Sequence, residues 1–219
     1  MIVTIDGPAG AGKSSAARAL ARRLGFRFLD TGAMYRAVAF AALRQELTWD
    51  DPAALAELAR QLNIEVGDDR VLLDGEDVTQ AIRTVSVTTV THFAANNPAV
   101  RQHLVGLQRL AAGHDHVVTE GRDQGTVVFP HAECKIFLTA SPRERAKRRL
   151  ADLAARGEKA TFEDVLEQQN LRDERDAARS VGPLKAADDA VPLSTDGLPP
   201  TAVVDRLEAL VRARMSPNP

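Results

Sequence analysis

The sequence predicts an α/β fold, a mainly parallel sheet flanked by helices. Three patterns carry that reading. Short β-branched runs alternate with segments of helical period along the chain. A glycine-rich loop, Gly7–Gly12, stands between the first strand and the first helix. One hairpin pattern, at Asn63–Gly75, interrupts the alternation and reads as a small antiparallel insertion.

Taken in order, Ile2–Ile5 is a short β-branched strand, and Ser14–Leu24 is an alanine-rich helix stopped by Gly25. Phe26–Leu29 is a second apolar run, and Ala33–Arg44 and Pro52–Leu62 have helical spacing. Asn63–Val66 and Arg70–Gly75 flank a turn at Gly67–Asp69, and Asp77–Thr79 adds a third short strand. Helical pattern resumes over Ser86–Ala112. Val117–Thr119 and Lys135–Leu138 are strands that each begin a new strand–helix unit. Ser141-Pro-Arg-Glu144 reads as a capping box with proline at the first helical position, and its helix runs through Arg149. Gly157–Ala160 breaks the pattern, and Thr161 starts a helix to about Arg179. Ala190–Ser194 is a last strand and Val203–Arg214 a last helix. Ligands of such sheets sit at the carboxyl ends of the strands.

Composition narrows the function classes. The 219 residues, 44% hydrophobic and 26% charged, suit one soluble domain with a sizeable core. The single cysteine, Cys134, allows no intrachain disulfide, is expected to be buried, and fits a cytoplasmic setting. The longest apolar run, Ala37–Leu43, is far short of the ~20 residues that cross a bilayer. The first residues lack the basic-then-apolar order of a signal peptide, so neither secretion nor a membrane partner is expected. A net charge of −2 argues against a nucleic-acid partner. A monomer is expected. The five histidines show no metal-ligand spacing.

Gly7-Pro8-Ala9-Gly10-Ala11-Gly12-Lys13-Ser14 matches the G-x-x-x-x-G-K-[ST] phosphate loop in full, between a strand and a helix as that motif requires. The glycines let backbone N–H groups converge on an anion, and the helix N-terminus adds positive charge there. Lys13 is placed to reach β- and γ-phosphates, and Ser14 to hold Mg²⁺. A nucleoside triphosphate is therefore expected. No Asn-Lys-x-Asp stretch is present to read guanine, which counts against a GTPase switch. Val117-Val118 leads to Glu120 rather than to an acidic run, which counts against a motor ATPase.

Only five of the 28 basic residues are lysine, and particular arginines cluster. Arginine forks grip phosphate and carboxylate at two points. Asp30-Thr31-Gly32 forms a turn and helix cap, with Arg36 in the first helical turn, where it gains nothing from the helix dipole. Arg101 lies in the helical stretch after the hairpin. Gly121-Arg122-Asp123-Gln124-Gly125-Thr126 follows a strand and reads as a binding turn. Arg172, Arg175, Asp176 and Arg179 share one face of a helix, where three like charges repel unless an anion or carboxylates neutralise them. The run Arg143–Arg149, five basic residues and one acidic, reads as a mobile arm over a triphosphate, with Gly157 as its hinge.

Together, Gly7–Ser15, Leu29–Arg36, Gly121–Pro130 and Arg172–Arg179 resemble the bacterial cytidylate (CMP) kinases in order and spacing over nearly the whole chain. The resemblance implies a single P-loop nucleoside monophosphate kinase domain over 1–219. It also implies a monophosphate-binding insertion at about 61–100 and a short lid at about 149–162. It implies transfer of the γ-phosphoryl group of MgATP to CMP or dCMP, in pyrimidine nucleotide metabolism. Residues 7–15, through Ser15, and Arg149 would then hold ATP, and Ser14 the Mg²⁺. Thr31, Arg36, Arg101, Arg122, Asp123, Arg172, Asp176 and Arg179 fall where the family grips CMP. Arg101 and Asp123 would read cytosine, and Asp176 with an arginine would hold the ribose. Lys13, Arg122 and Arg179 would be catalytic. The chain departs from the family at Thr91 and His92, where a base-contacting serine is common. Strictness for CMP over UMP is therefore open.

The residues suit that reaction without the family name. The phosphate of a nucleoside monophosphate, with a second pKa of ~6, is already mostly dianionic at neutral pH and needs no general base. It needs cations that cancel repulsion and hold two anions in line. Asp30 or Asp123 as a base keeps a small-alcohol kinase, such as one acting on shikimate, as an alternative. A regulatory nucleotide-binding protein is a second.

Overall fold

A β-branched run buried on both faces needs helices on both sides, and β1 (Ile2–Asp6) is such a run, with Val3, Thr4 and Ile5 inaccessible to solvent. The computed structural model describes residues 1–155 and 157–215. After β1 come α1 (Lys13–Leu24), β2 (Arg27–Asp30), α2 (Thr31–Arg44), α3 (Pro52–Gln61), β3 (Ile64–Val66), β4 (Val71–Leu73) and β5 (Glu76–Asp77). A 3-10 turn (Ala81–Arg83) leads to α4 (Val85–Asn96), α5 (Pro98–Ala112) and β6 (Val117–Gly121). A π-helical turn (Gln124–Val128) precedes β7 (Cys134–Thr139), α6 (Pro142–Ala155), α7 (Phe162–Ala177), β8 (Val191–Ser194) and α8 (Pro200–Met215).

These elements form two compact units, one of Met1–Phe26 with the chain from His116 on, the other Arg27–Asp115. In the first, parallel strands run in the order β6-β1-β7-β8. Ile2 lies opposite Val117, Val3 opposite Cys134, and Ile136 opposite Val191. Helix α1 packs on β6 and α8, and α6 packs on α7. Leu20, Leu207 and Val211 are buried in the helical layer, and Ile136 and Leu138 in the sheet. Because β1 is flanked on both sides, the glycine loop that follows Asp6 leaves the middle of the sheet at its carboxyl end.

In the second unit, α2 to α5 enclose a core that includes Met34, Val38, Leu58, Ile82 and Leu104. The hairpin is present as a three-stranded antiparallel sheet, with Ile64 opposite Leu73 and Leu72 opposite Asp77.

Several expected boundaries move. The helix expected over Ser86–Ala112 is two helices, because Pro98 cannot continue α4 and Asn97 accepts hydrogen bonds from the N–H groups of Ala99 and Val100 to start α5. The third hairpin strand ends at Asp77, whose carboxylate accepts from the N–H and hydroxyl of Thr79 and turns the chain. Helix α6 runs past Arg149 to Ala155, through good helix formers, and Gly157 ends it at φ +75°. Half of the capping box forms: Ser141 Oγ accepts from Glu144 N–H, but Ser141 N–H donates to Asp196 rather than to Glu144. Helix α7 stops at Ala177, so Arg179 lies past its end. Of the expected lid, Arg149–Ala155 is helical, and Arg156 lies outside the described residues.

Candidate active site

The loop between β1 and α1 requires glycine at its base. A Cβ on Gly7, at φ +148°, would stand 2.0 Å from the carbonyl oxygen of Leu138 on β7. Gly12, at φ +87°, caps α1 without a side-chain hydrogen bond, and no acidic residue occupies the first turn. The amide groups at that end are thus disposed toward an anion. Lys13 is buried, and its Nζ donates to Pro8 O at 2.8 Å. Burial first, and the charge of Arg122 second, bring its pKa down to about 7. Ser14 Oγ donates to Glu120 Oε1, 2.9 Å away, on β6.

The turn after β6 places Arg122 against α7. Its Nε donates to Asp176 Oδ2 at 2.8 Å, and Arg179 pairs with the other oxygen. Burial alone would raise the Asp176 carboxyl; the charges of Arg122 and Arg179 outweigh it and hold it below the usual range. Arg122 gains the complementary upward shift against its own burial. Arg172 and Arg175 are exposed, and the charge of Arg172 reaches both Lys13 and Asp176. Asp123 is buried, and its backbone carbonyl accepts from Val127 N–H. The first unit therefore brings Lys13, Arg122, Asp176 and Arg179 together electrostatically.

The basic run of α6 is not the free arm expected. Arg145 is 3% exposed; it donates to Ala9 O and Ala140 O at 3.0 Å each and pairs with Asp173 at 2.7 Å. Arg148 donates to Glu144 and to Thr195. Arg145 is fixed because α6 packs on α7 and buries it, and a buried cation needs acceptors. Arg149 is half-buried.

In the second unit, Asp30 caps α2 by accepting from Ala33 N–H at 2.9 Å. Arg36 Nη2 spans both Asp30 oxygens at 3.1 and 3.0 Å, and Arg83 Nη2 reaches Oδ2 at 3.1 Å. The capping and arginine readings of this turn are both present, and one carboxylate serves both. Thr31, the first residue of α2, is buried. Arg101 is buried, with its guanidinium 5.5 Å from the Tyr35 ring centroid. Thr91 Oγ1 donates to Val87 O at 2.7 Å, and His92 Nδ1 lies 2.8 Å from Thr89 O.

Sequence patterns missed Asp6, Glu120 and Arg83 as site residues, and read Arg145 only as one member of a basic arm and Asp173 only as a carboxylate near the arginine stripe. Asp6 ends β1 and Glu120 is the last residue but one of the adjacent β6, a position that signals a ligand-facing edge once the strand order is known. Arg83 is a lone charge among apolar and hydroxyl residues, and Arg145 and Asp173 sit in charged stretches; only tertiary packing singles each of them out.

A family model described as cytidylate kinase matches residues 3–213. A cytidylate kinase of Rhodopirellula baltica is 52% identical over 213 residues, 97% of this chain and 93% of that one. One of Geobacter sp. strain M21 is 47% identical over 220 residues, 99% of this chain and 94% of the relative. The crystal structure of an uncharacterized protein from Eubacterium ventriosum shares the fold at a TM-score of 0.53 and 12% identity, covering 97% of this chain and 98% of that one.

Proposed function

The chain belongs to the cytidylate kinase family, and from that premise we propose how its residues move the γ-phosphoryl group of ATP to CMP, and to dCMP as a second acceptor. The observation that carries the reading is the buried group formed by Lys13 beside the phosphate loop and by Arg122, Asp176 and Arg179. It contains more cation than anion and suits the meeting of two phosphates.

The phosphate loop and Ser15 cradle the triphosphate, with Lys13 on the β- and γ-oxygens. Burial holds the Lys13 pKa down to about 7, and the negative charge of an arriving triphosphate favours the protonated amine. A divalent ion fits Ser14 and Glu120, both oxygen donors 2.9 Å apart, since Mg²⁺ takes one or two protein ligands and completes its shell with phosphate and water. When bound, it neutralises charge between the β- and γ-phosphates.

The acceptor phosphate attacks without a general base. In the first unit, Arg122, Arg172 and Arg179 screen it, and Asp176 orients Arg122 and Arg179 while accepting from the ribose. In the second unit, Thr31 and Arg36 are the residues that the family resemblance assigns to CMP. Asp30 is engaged by Ala33, Arg36 and Arg83, which leaves it poorly disposed to deprotonate an alcohol. Arg101 and Asp123 read the base; the Thr91 hydroxyl is already donated to its own helix. The stretch 149–162, with Arg149, closes over ATP and excludes water.

Coupled ADP release with MgATP and CMP, dCMP, UMP or shikimate tests the reading. CMP and dCMP are expected to turn over and shikimate not at all, and the UMP rate measures the strictness that Thr91 and His92 leave open. Preference for shikimate, or release without an acceptor, would overturn it.

A further inference from the structure

Asp6 takes no part in the chemistry above, yet it is 4% exposed at the carboxyl end of the central strand. A carboxylate is buried there only at a cost, unless hydrogen bonds replace its water. Its oxygens divide the work. Oδ1 accepts Gln124 N–H at 2.9 Å, and Oδ2 accepts Gly125 N–H at 2.8 Å.

Gln124 and Gly125 open the π-helical turn, whose own cap residue, Asp123, makes no side-chain cap hydrogen bond. Asp6 therefore caps that turn from another strand. Thr119 Oγ1 adds a third tie, donating to Gln124 Oε1 at 2.9 Å. Two successive amides held by one rigid carboxylate fix both the position and the rotation of the turn. The residues just before it are Arg122 and Asp123, and the residue just after Asp6 is Gly7. One side chain thus joins the start of the phosphate loop to the base of Arg122.

We propose that Asp6 is a positioning residue that holds the Arg122–Asp123 turn in register with the phosphate loop. The proposal rests on the kinase reading above for its effect on rate, and on geometry alone for its effect on the turn. It concerns a backbone latch, in which each Asp6 oxygen is engaged by an amide of the turn.

Asp6→Asn in the full chain tests it, because the amide keeps one acceptor and sets an N–H donor against the other backbone N–H. In the ligand-free variant, site-resolved exchange of the Gln124 and Gly125 amides should speed up about tenfold or more, with Val3–Ile5 unchanged. kcat/KM for CMP should fall about tenfold or more, while KM for ATP stays within about twofold. In an Arg122→Ala/Asp123→Ala background, the same substitution should cost less than about twofold further, since both residues it positions are gone.

A full multiplicative loss in that background would show that Asp6 acts apart from Arg122 and Asp123 and would overturn the proposal. So would parental kcat/KM with both amides freed. If Asp6→Asn does not fold, Asp6→Ser carries the same measurements. Failure of both to fold would assign Asp6 to stability and reject the positioning role. A parent inactive toward CMP would reject the kinase reading instead, and amide exchange would still decide the latch.

Discussion

Arg122 Nε meets Asp176 Oδ2 at 2.8 Å across 54 residues of sequence, tying the turn after β6 to the last turn of α7. Arg179 closes on the same carboxylate. Two guanidiniums on one carboxylate leave an excess of positive charge, and all three side chains are largely buried. An arrangement of that kind is better balanced with a phosphate dianion present than without one.

Asp176→Ala removes the shared counter-ion and leaves two buried cations facing each other. A stability loss of about 3 kcal/mol is expected, with a fold that still forms. kcat/KM for CMP should drop about tenfold or more, and KM for ATP much less. Asp176→Asn gives the pH test. Its folded pKa lies below the unfolded value of 3.8, so the ionised carboxylate stabilises fully above that pH and is lost as pH falls through the folded value. The gap between parent and Asn variant in chemical denaturation should therefore be wide near neutrality and close in acid. A constant gap would remove charge from the account.

Gly7 and Gly25 separate space from backbone strain. Both have positive φ, but a Cβ on Gly7 meets Leu138 O at 2.0 Å while one on Gly25 meets nothing. Gly25→Ala should cost about 1–2 kcal/mol and leave kinetics alone. Gly7→Ala must push the loop off β7, and kcat/KM for ATP should fall about a hundredfold or more. Equal kinetics for the two variants would contradict the steric argument.

The phosphate loop and the strand–helix alternation were legible because each rests on local chemistry, glycines that permit unusual φ and side chains that repeat with the element. The α4–α5 break was equally local, since Asn97-Pro98 carries both its cap and its stop, but a continuous helical period across the junction masked it. Arg122 with Asp176 could be anticipated as two separate charged patterns, though not as a contact. Asp6 and Glu120 were not legible as site residues for a different reason. Each is a single acidic residue near the end of a strand, and it becomes informative only when strand order puts it beside the loop. Arg145 was legible as part of a basic run, but its burial against Ala9 and Asp173 was not.

Glu120 is the expected partner of Ser14 in holding the divalent ion. Glu120→Gln keeps the size and the hydrogen bond to Ser14 but removes the charge. At saturating nucleotides, the free Mg²⁺ needed for half-maximal rate should rise about tenfold. Ser14→Ala should raise it similarly, and the double variant should add little, because the two side chains serve one ion. An unchanged Mg²⁺ requirement in Glu120→Gln would release Glu120 from that role.

Lys13 offers a test that does not depend on the acceptor. Burial, then Arg122, hold its pKa at about 7, against 10.5 when exposed. At pH 8 the empty protein therefore carries mostly neutral Lys13, while ATP, with a last phosphate pKa near ~6–7, is already fully ionised. Binding brings the triphosphate to the amine and raises its pKa, so close to one proton should be taken up. Calorimetry in two buffers of different ionisation heat reads that uptake directly, and it should fade as pH is lowered well below the free value. Lys13→Met should abolish it and lower kcat by about a hundred- to a thousandfold, as for loss of a donor aimed at developing charge. The stability sign is opposite. Because the folded pKa is lower than the unfolded one, the folded protein binds fewer protons between about 7 and 10.5, and stability rises with pH across that window. The methionine variant, with no amine to desolvate, should lose that rise and melt higher than the parent at neutral pH. A parent that takes up no proton with ATP at pH 8 would show that Lys13 is already charged in the empty loop, and the gain of charge on binding would drop out of the mechanism.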